Sequence, residues 1–443
     1  MKPLLYTLAL GVFAGALDLS VLSPALPALG RTFGVETGDL AWVFTLYLLV
    51  TVVSIAVAST LADRYGRRSV YLGCIACFAA GSMLAIVAPN YLVFLAARGL
   101  QALGAGGVFP VATAAIGDVV PRARRGAALG MVAATWGLAA VIGPTFGGLV
   151  THFISWRWIF ALNLPLAVVV FVLARIHVPA VAPQRRAPLD VVGLFLLCLG
   201  LLGIMDGLIS SRPLIGVLGV LALLGFVVWE QGIARYPIVP MALFRTPQLA
   251  KTYALEIVIG VLEGALFFIP TVLVGAQNLS YATAGFVAAL GALAFVVVIP
   301  SAGRALDRIG SRDVLLMGTI FTELGLAIFA LGFASIWLSL LSMIVAGAGF
   351  GALLGAPTRY IVTNETPEAL RATAVGLLSQ CLIVGQIVGS SLAGGLIGLS
   401  ANELLGYRHA YLAFAAVAFV ALVLAATLKA RPDERTQPIQ EPA

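Results

Sequence analysis

Acidic side chains stand inside long apolar runs of this sequence. Asp18, Glu256, Glu263 and Glu323 lie deep within theirs, while Asp206 and Glu230 sit nearer the ends, where snorkelling makes a charge inexpensive. Arg98 is the one basic residue buried in such a run, and Gln101 follows three positions on, which puts both side chains on one helical face. A charge in an apolar helix costs at least about 2.5 kcal/mol unless it snorkels or pairs, so each of these groups is a candidate for handling ions or substrate. Carboxylates suit proton exchange, because a cation bound beside one competes with its proton. For that exchange near neutral pH an aspartate must titrate about three units above its ordinary ~3.9, worth roughly 4 kcal/mol, and desolvation supplies shifts of this size. Glu256 and Glu263 are seven residues apart, close to two helical turns, and share a face.

The elements that carry these residues belong in a bilayer. Of the 443 residues 61% are hydrophobic and 10% charged, against roughly 25% charged in a soluble domain. The four cysteines, Cys74, Cys77, Cys198 and Cys381, fall inside apolar segments and read as small hydrophobes rather than a disulfide or metal framework. The net charge of +7 is spread over short loops with no basic domain, which argues against nucleic acid. The first apolar run lacks a cleavage site and reads as a retained helix.

Breaks at Gly, Pro and charged residues place spanning helices near 4–29, 40–61, 69–88, 91–117, 126–150 and 158–174, then 189–209 and 213–231, then 250–275, 281–303, 314–333, 336–357, 372–397 and 406–428. The fold expected is all-α and integral to the membrane: two six-helix bundles, residues 1–174 and 250–428, joined by two linking helices within 175–249. A polar tail, 429–443, is expected to be disordered. With both termini cytoplasmic, 21 of the 26 Lys and Arg residues fall inside and four outside, leaving Arg98 in the membrane. That bias follows the positive-inside rule and predicts a plasma (inner) membrane protein.

The two bundles repeat one another. Asp63, Arg64, Gly66 and Arg68 recur as Asp307, Arg308, Gly310 and Arg312, an offset of 244. Arg125, Gly130, Gly143 and Gly148 recur as Arg371, Gly376, Gly389 and Gly394, an offset of 246. Parallel repeats of this kind place a cavity at their interface, and rocking one half against the other gives alternating access. Glu263 then lies within a residue of the counterpart of Asp18, which predicts a facing pair across the cavity.

At these residues the sequence resembles the major facilitator superfamily, and within it the fourteen-helix drug/proton antiporter branch, over essentially the whole chain. Ser59–Arg68 is similar to the loop motif G-x-L-A-D-R-x-G-R-[KR], with Ser59 for the leading glycine. The resemblance implies cytoplasmic gating loops built from Asp63, Arg64, Gly66, Arg67 and Arg68, and from Asp307, Arg308, Gly310 and Arg312, with Ser311 replacing an arginine in the second copy. Asp63 there is expected to cap a neighbouring helix. Arg98 and Gln101 resemble R-x-x-Q-G, with Ala102 for the glycine. Gly143, Pro144, Gly147 and Gly148 match the G-P-x-x-G-G of the antiporter motif, where proline bends the helix and small residues permit sliding. Leu17–Pro27 resembles L-D-x-T-x-x-N-x-A-L-P with departures at Ser20, Ser23 and Pro24, and Trp156–Phe160 with Asn163 and Pro165 is a further branch-like signature.

The expected function is proton-coupled export of amphipathic or cationic molecules, with Asp18, Glu263, Glu256, Glu323, Arg98 and Gln101 carrying protons or substrate. Outside protons release substrate, and deprotonated acids facing inward recruit the next molecule. The reading calls for no cofactor beyond the proton gradient, for no metal, and for a monomer whose partners are protons, membrane lipids and a small amphipathic or lipid-like substrate. A lipid or glycolipid exporter on the same scaffold is the alternative. A nutrient symporter is disfavoured by the proline-glycine motif and by few polar residues beyond the acids, Gln101 and Gln386. An enzyme would need a nucleophile or metal cluster that the sequence lacks.

Overall fold

The apolar runs form helices that outlast the runs themselves. The computed structural model describes residues 2–180, 189–367, 370–400 and 402–430. Within them 14 helical spans are long and apolar enough to cross a membrane: α1 (Lys2–Phe33), α2 (Asp39–Tyr65), α3 (Arg67–Ile86), α4 (Tyr91–Val119), α5 (Ala127–Phe153), α6 (Arg157–His177), α7 (Val191–Ile209) and α8 (Pro213–Gly232), followed by α9 (Pro247–Gln277), α10 (Tyr281–Ile309), α11 (Ser311–Gly332), α12 (Ile336–Glu365), α13 (Thr373–Gly398) and α14 (Glu403–Ala426). No strand occurs among the described residues. The all-α, fourteen-span architecture matches the expectation from hydropathy. The tail expected to be disordered lies, from Arg431 onward, outside the described residues, as do Arg185 and Arg186.

Two spans run on past their expected ends. Expected to stop at 303, α10 runs on through Pro300 to Ile309. Likewise α12, expected to stop at 357, continues as a second piece, Pro357–Glu365. In α10 the polar residues end the apolar stretch without ending the helix, because their side chains reach water while the backbone bonds continue, whereas α12 is interrupted between Leu353 and Pro357 before it resumes.

Two further spans are interrupted. In α1 the helix Lys2–Val21 gives way to a 3₁₀ turn, Ser23–Ala25, before Leu26–Phe33. In α9, Pro247–Leu266 gives way to Ile269–Gln277. Pro24 and Pro270 stand at the two interruptions, 246 residues apart, and proline cannot donate to the preceding turn. A break at the cognate place in both halves extends the repeat. The repeat also holds in backbone detail. Gly66 and Gly310 share a positive φ, 89° and 92°. Arg125 Nε donates to the Val120 carbonyl at 2.8 Å, as Arg371 Nε does to Thr366 at 3.3 Å.

The chain divides into two compact units. The first comprises Met1–Ile238, Phe267–Ala289 and Ser390–Leu399. Its core joins α1, α3, α4, α5 and α6 through Leu8, Val12, Tyr71, Phe78, Val111, Val132 and Val170. Small residues set the helix distances, as they must where apolar surface alone gives no drive for helix association. A Cβ on Gly81 would strike the Gln101 backbone nitrogen at 2.5 Å, and one on Gly104 would strike the Phe78 nitrogen at 2.5 Å, so α4 lies directly on α3. Gly203 and Gly207 of α7 pack on Gly219 and Gly216 of α8 in the same way. Ser23 Oγ also donates to the carbonyl of Phe267 at 2.6 Å, and Phe44 stacks on Phe267 at 4.5 Å.

The second unit comprises Val239–Leu266, Leu290–Gly389 and Ser400–Ala443. One of its clusters joins the first turns of α9 to the last turn of α12 and to α13 through Leu249, Tyr253, Val362, Leu377, Leu378 and Cys381. Gly260 of α9 and Gly385 of α13 bring those two helices to backbone contact.

Candidate functional site

Asp18 sits one turn before the break in α1 and is fully buried, as are Arg98 and Gln101 on α4. Arg98 Nη1 donates to Asp18 Oδ2 at 2.5 Å and to Gln101 Oε1 at 2.9 Å. Gln101 Nε2 donates to Asp18 Oδ1 at 3.2 Å and to Ser82 Oγ on α3 at 2.8 Å. Asn163 of α6 completes the set, its Nδ2 donating to Asp18 Oδ1 at 2.8 Å. The guanidinium carbon of Arg98 lies 4.2 Å from the ring centroid of Tyr47 on α2. Five helices thus meet at one carboxylate. The close approach of α3 and α4 at Gly81 and Gly104 is what lets Ser82 reach Gln101. The cluster holds one carboxylate and one guanidinium, so it is neutral as a whole, yet among the described residues Arg98 Nε and Nη2 find no hydrogen-bond acceptor. Only the face of Tyr47 answers that side of the cation.

Sequence reasoning placed Asp18, Arg98 and Gln101 and missed Tyr47 and Ser82. Asn163 was visible as part of a signature, with no partner assigned. Its type was the signal: a buried amide in an apolar helix needs a polar partner.

The second unit carries a different arrangement. Glu263 also sits one turn before a helix break, in α9, and accepts a hydrogen bond from Gln386 of α13 at 2.9 Å. Glu256 is 5% exposed, shares a hydrogen bond with Thr358 of α12, and leaves Oε2 without a donor. Among the described residues neither glutamate forms an ion pair. The repeat explains why. Where α4 carries Arg98 and Gln101, the cognate stretch of α12, Met343–Gly347, holds only apolar and small residues. Glu323 stands apart: half-buried on α11, it makes no hydrogen bond or ion pair among the described residues.

The motif residues divide by contact. Gly143 and Gly147 pack on α1, where an added Cβ would collide with Ser20 and with the Val21 carbonyl. Gly148 packs instead on the Tyr281 carbonyl, and Gly285 packs on Pro144. The helix continues through Pro144 from Arg122 to Phe153. In the loop after α2, Arg67 bridges Asp63 at 2.5 Å and Asp118, near the end of α4, at 3.2 Å. The capping expected of Asp63 does not occur on α3, whose start at Gly66 has no side-chain cap, because Arg67 engages that carboxylate one turn on. In the second copy Asp307 and Arg308 are both engaged, whereas Arg312 Nε is buried without a partner.

Fourteen apolar spans, five of which bury a charge cluster in the first unit, define a polytopic membrane protein of the transporter class. The Major Facilitator Superfamily profile matches residues 8–276 and 256–443, and the chain belongs to that family. It is 31% identical over 405 residues to the uncharacterized MFS-type transporter YfiU of Bacillus subtilis, covering 88% of this chain and 78% of that one. It is 29% identical over 402 residues to a multidrug resistance protein B homolog of Mycobacterium tuberculosis, covering 87% and 74%. It spans 58% of the length of an uncharacterized MFS-type transporter of the same organism at 29% identity. Among solved structures, a D-xylose-proton symporter superposes with a TM-score of 0.74 at 14% identity, covering 98% of this chain and 99% of that one. The fold is that of the major facilitators.

Proposed function

We propose that this chain is a monomeric, proton-coupled exporter of amphipathic or cationic molecules, of the fourteen-helix drug/proton antiporter branch, working at the inner membrane with both termini in the cytoplasm. The observation that carries the reading is a contrast between carboxylates. Asp18 is compensated within its own cluster by Arg98, whereas among the described residues Glu256 and Glu263 form no ion pair, the charge of Arg359 reaching Glu256 without pairing with it. Uncompensated acids attract a proton or an organic cation, and each ligand excludes the other by charge. Asp18 acts as the switch: protonating it leaves Arg98 as an unpaired cation, which repels a cationic substrate at close range in a medium of low dielectric. The Lys and Arg bias supports the orientation, and the multidrug name of a relative at 29% identity supports efflux.

Proteoliposomes enclosing a pH dye test this directly. Tetraphenylphosphonium added to wild type is expected to trigger proton flux, and Asp18→Asn to abolish it. Flux that persists in Asp18→Asn removes that residue from the coupling. A wild type silent to lipophilic cations overturns cation antiport and leaves the lipid-export alternative.

A further inference from the structure

The gating loop of the first half is tied by Arg67, which holds Asp118 at the end of α4. The second half has the same loop, with Gly310 in the same conformation as Gly66, yet at the place of Arg67 stands Ser311, fully buried and uncharged. The acid at the end of the fourth helix of that half is nevertheless present. Glu365, the last residue of α12, lies one position beyond the strict counterpart of Asp118, which is Asn364. It does not go unpaired. Lys429, three residues after α14, reaches back so that its Nζ lies 2.6 Å from Glu365 Oε1.

The segment that carries Lys429 is itself fastened to α9. Lys429 donates its backbone N–H to Gln248 Oε1 at 3.1 Å, and Lys251 Nζ donates to the Thr427 carbonyl at 2.9 Å. We propose that Lys429 is the latch cation of the second half, supplied by the segment after the last span in place of the arginine that its gating loop lacks. The strap joins the start of α9 to the end of α12, the two elements whose packing with α13 closes over Cys381. Releasing it frees the end of α12 to move, and a hinge at the interruption before Pro357 is already built into that span.

Cys381 provides a readout that needs no substrate. It is 8% exposed and packs in the cluster under the strap, while Cys74, 7% exposed, lies in the core of the first unit. Maleimide labelling of the purified full chain, followed by peptide mass spectrometry, gives both rates in one sample. Lys429→Gln and Glu365→Gln are each expected to speed Cys381 labelling about two- to five-fold, the range a partly exposed ion pair supports. The double variant should add nothing further. The exchanged pair Lys429→Glu with Glu365→Lys should restore the slow rate, with Cys74 unchanged throughout. Unchanged Cys381 labelling in Lys429→Gln, or an exchanged pair that fails to restore it, overturns the latch. An equal rise at Cys74 does so too, since it would mean general loosening.

Discussion

Breaking the buried pair between Asp18 and Arg98 should cost far more than deleting it. Both groups are fully enclosed, and among the described residues the 2.5 Å contact is the only ion pair either one makes. In Arg98→Met the carboxylate keeps two amide donors, from Gln101 and Asn163, but loses its counter-charge. In Asp18→Asn the guanidinium keeps Gln101 Oε1 and the ring of Tyr47. Each single change strands a charge where removal of one partner costs about 3–5 kcal/mol. The double variant Asp18→Asn/Arg98→Met strands none. Its cost is the packing defect and the hydrogen bond lost at Gln101 Oε1, so the pair should recover about 3 kcal/mol relative to the sum of the singles, a factor of roughly a hundred in an equilibrium constant.

Thermal unfolding of the four proteins in one detergent at one scan rate reads this coupling. The double variant should melt above both single variants. Single-variant effects that simply add, within about 0.5 kcal/mol, would refute the argument, because contact in a shared network is what makes them non-additive.

Other outcomes follow from the same geometry. Asn163→Ala leaves Asp18 Oδ1 with the longer Gln101 bond alone, and stability in the same melting assay should fall by about 1–3 kcal/mol. Glu256→Gln should melt at or above wild type, because among the described residues the charge removed forms no ion pair, the attraction from exposed Arg359 is screened by solvent and the Thr358 contact survives, while cation-triggered proton flux in proteoliposomes falls. Gly147→Leu drives a side chain into the Val21 carbonyl and should cost at least about 1–3 kcal/mol, seen as lost folded yield. Gly130→Ala, which meets open space, should be tolerated.

Some of this site was legible in the sequence because cost makes it so: a charge in an apolar helix must have a reason, and Asp18, Arg98, Glu256 and Glu263 stood out on that ground alone. Tyr47 and Ser82 did not, since an aromatic or a serine in a membrane helix is unremarked unless its face is known. Those helices are apolar nearly all round, so no polar stripe shows which side turns inward. The interruptions in α1 and α9 were announced by Pro24, Pro27 and Pro270, yet hydropathy reads straight through proline. Lys429 was hidden by the opposite bias. It follows the last apolar run, where composition suggests only a tail, and its partner Glu365 lies 64 residues away in sequence.

The repeat shows how the two halves came to differ. Duplication supplied each with an acid one turn before a helix break, at Asp18 and at Glu263, and with a glycine-hinged loop at Gly66 and at Gly310. In the first half both features keep a basic partner, Arg98 for the acid and Arg67 for the loop. In the second half neither arginine is present, and the two losses have opposite consequences. The missing loop cation is replaced from outside the repeat by Lys429, which preserves a closed contact at that end of the unit. The missing membrane cation is not replaced by an ion pair among the described residues: Glu263 holds Gln386, and Glu256 senses the charge of Arg359 further along α12 without pairing with it. A buried carboxylate in that state is expensive to keep unless it exchanges ligands. The absence of a counterpart to Arg98 from Met343–Gly347 of α12 is therefore the sequence feature that most directly supports the proposed cation and proton exchange.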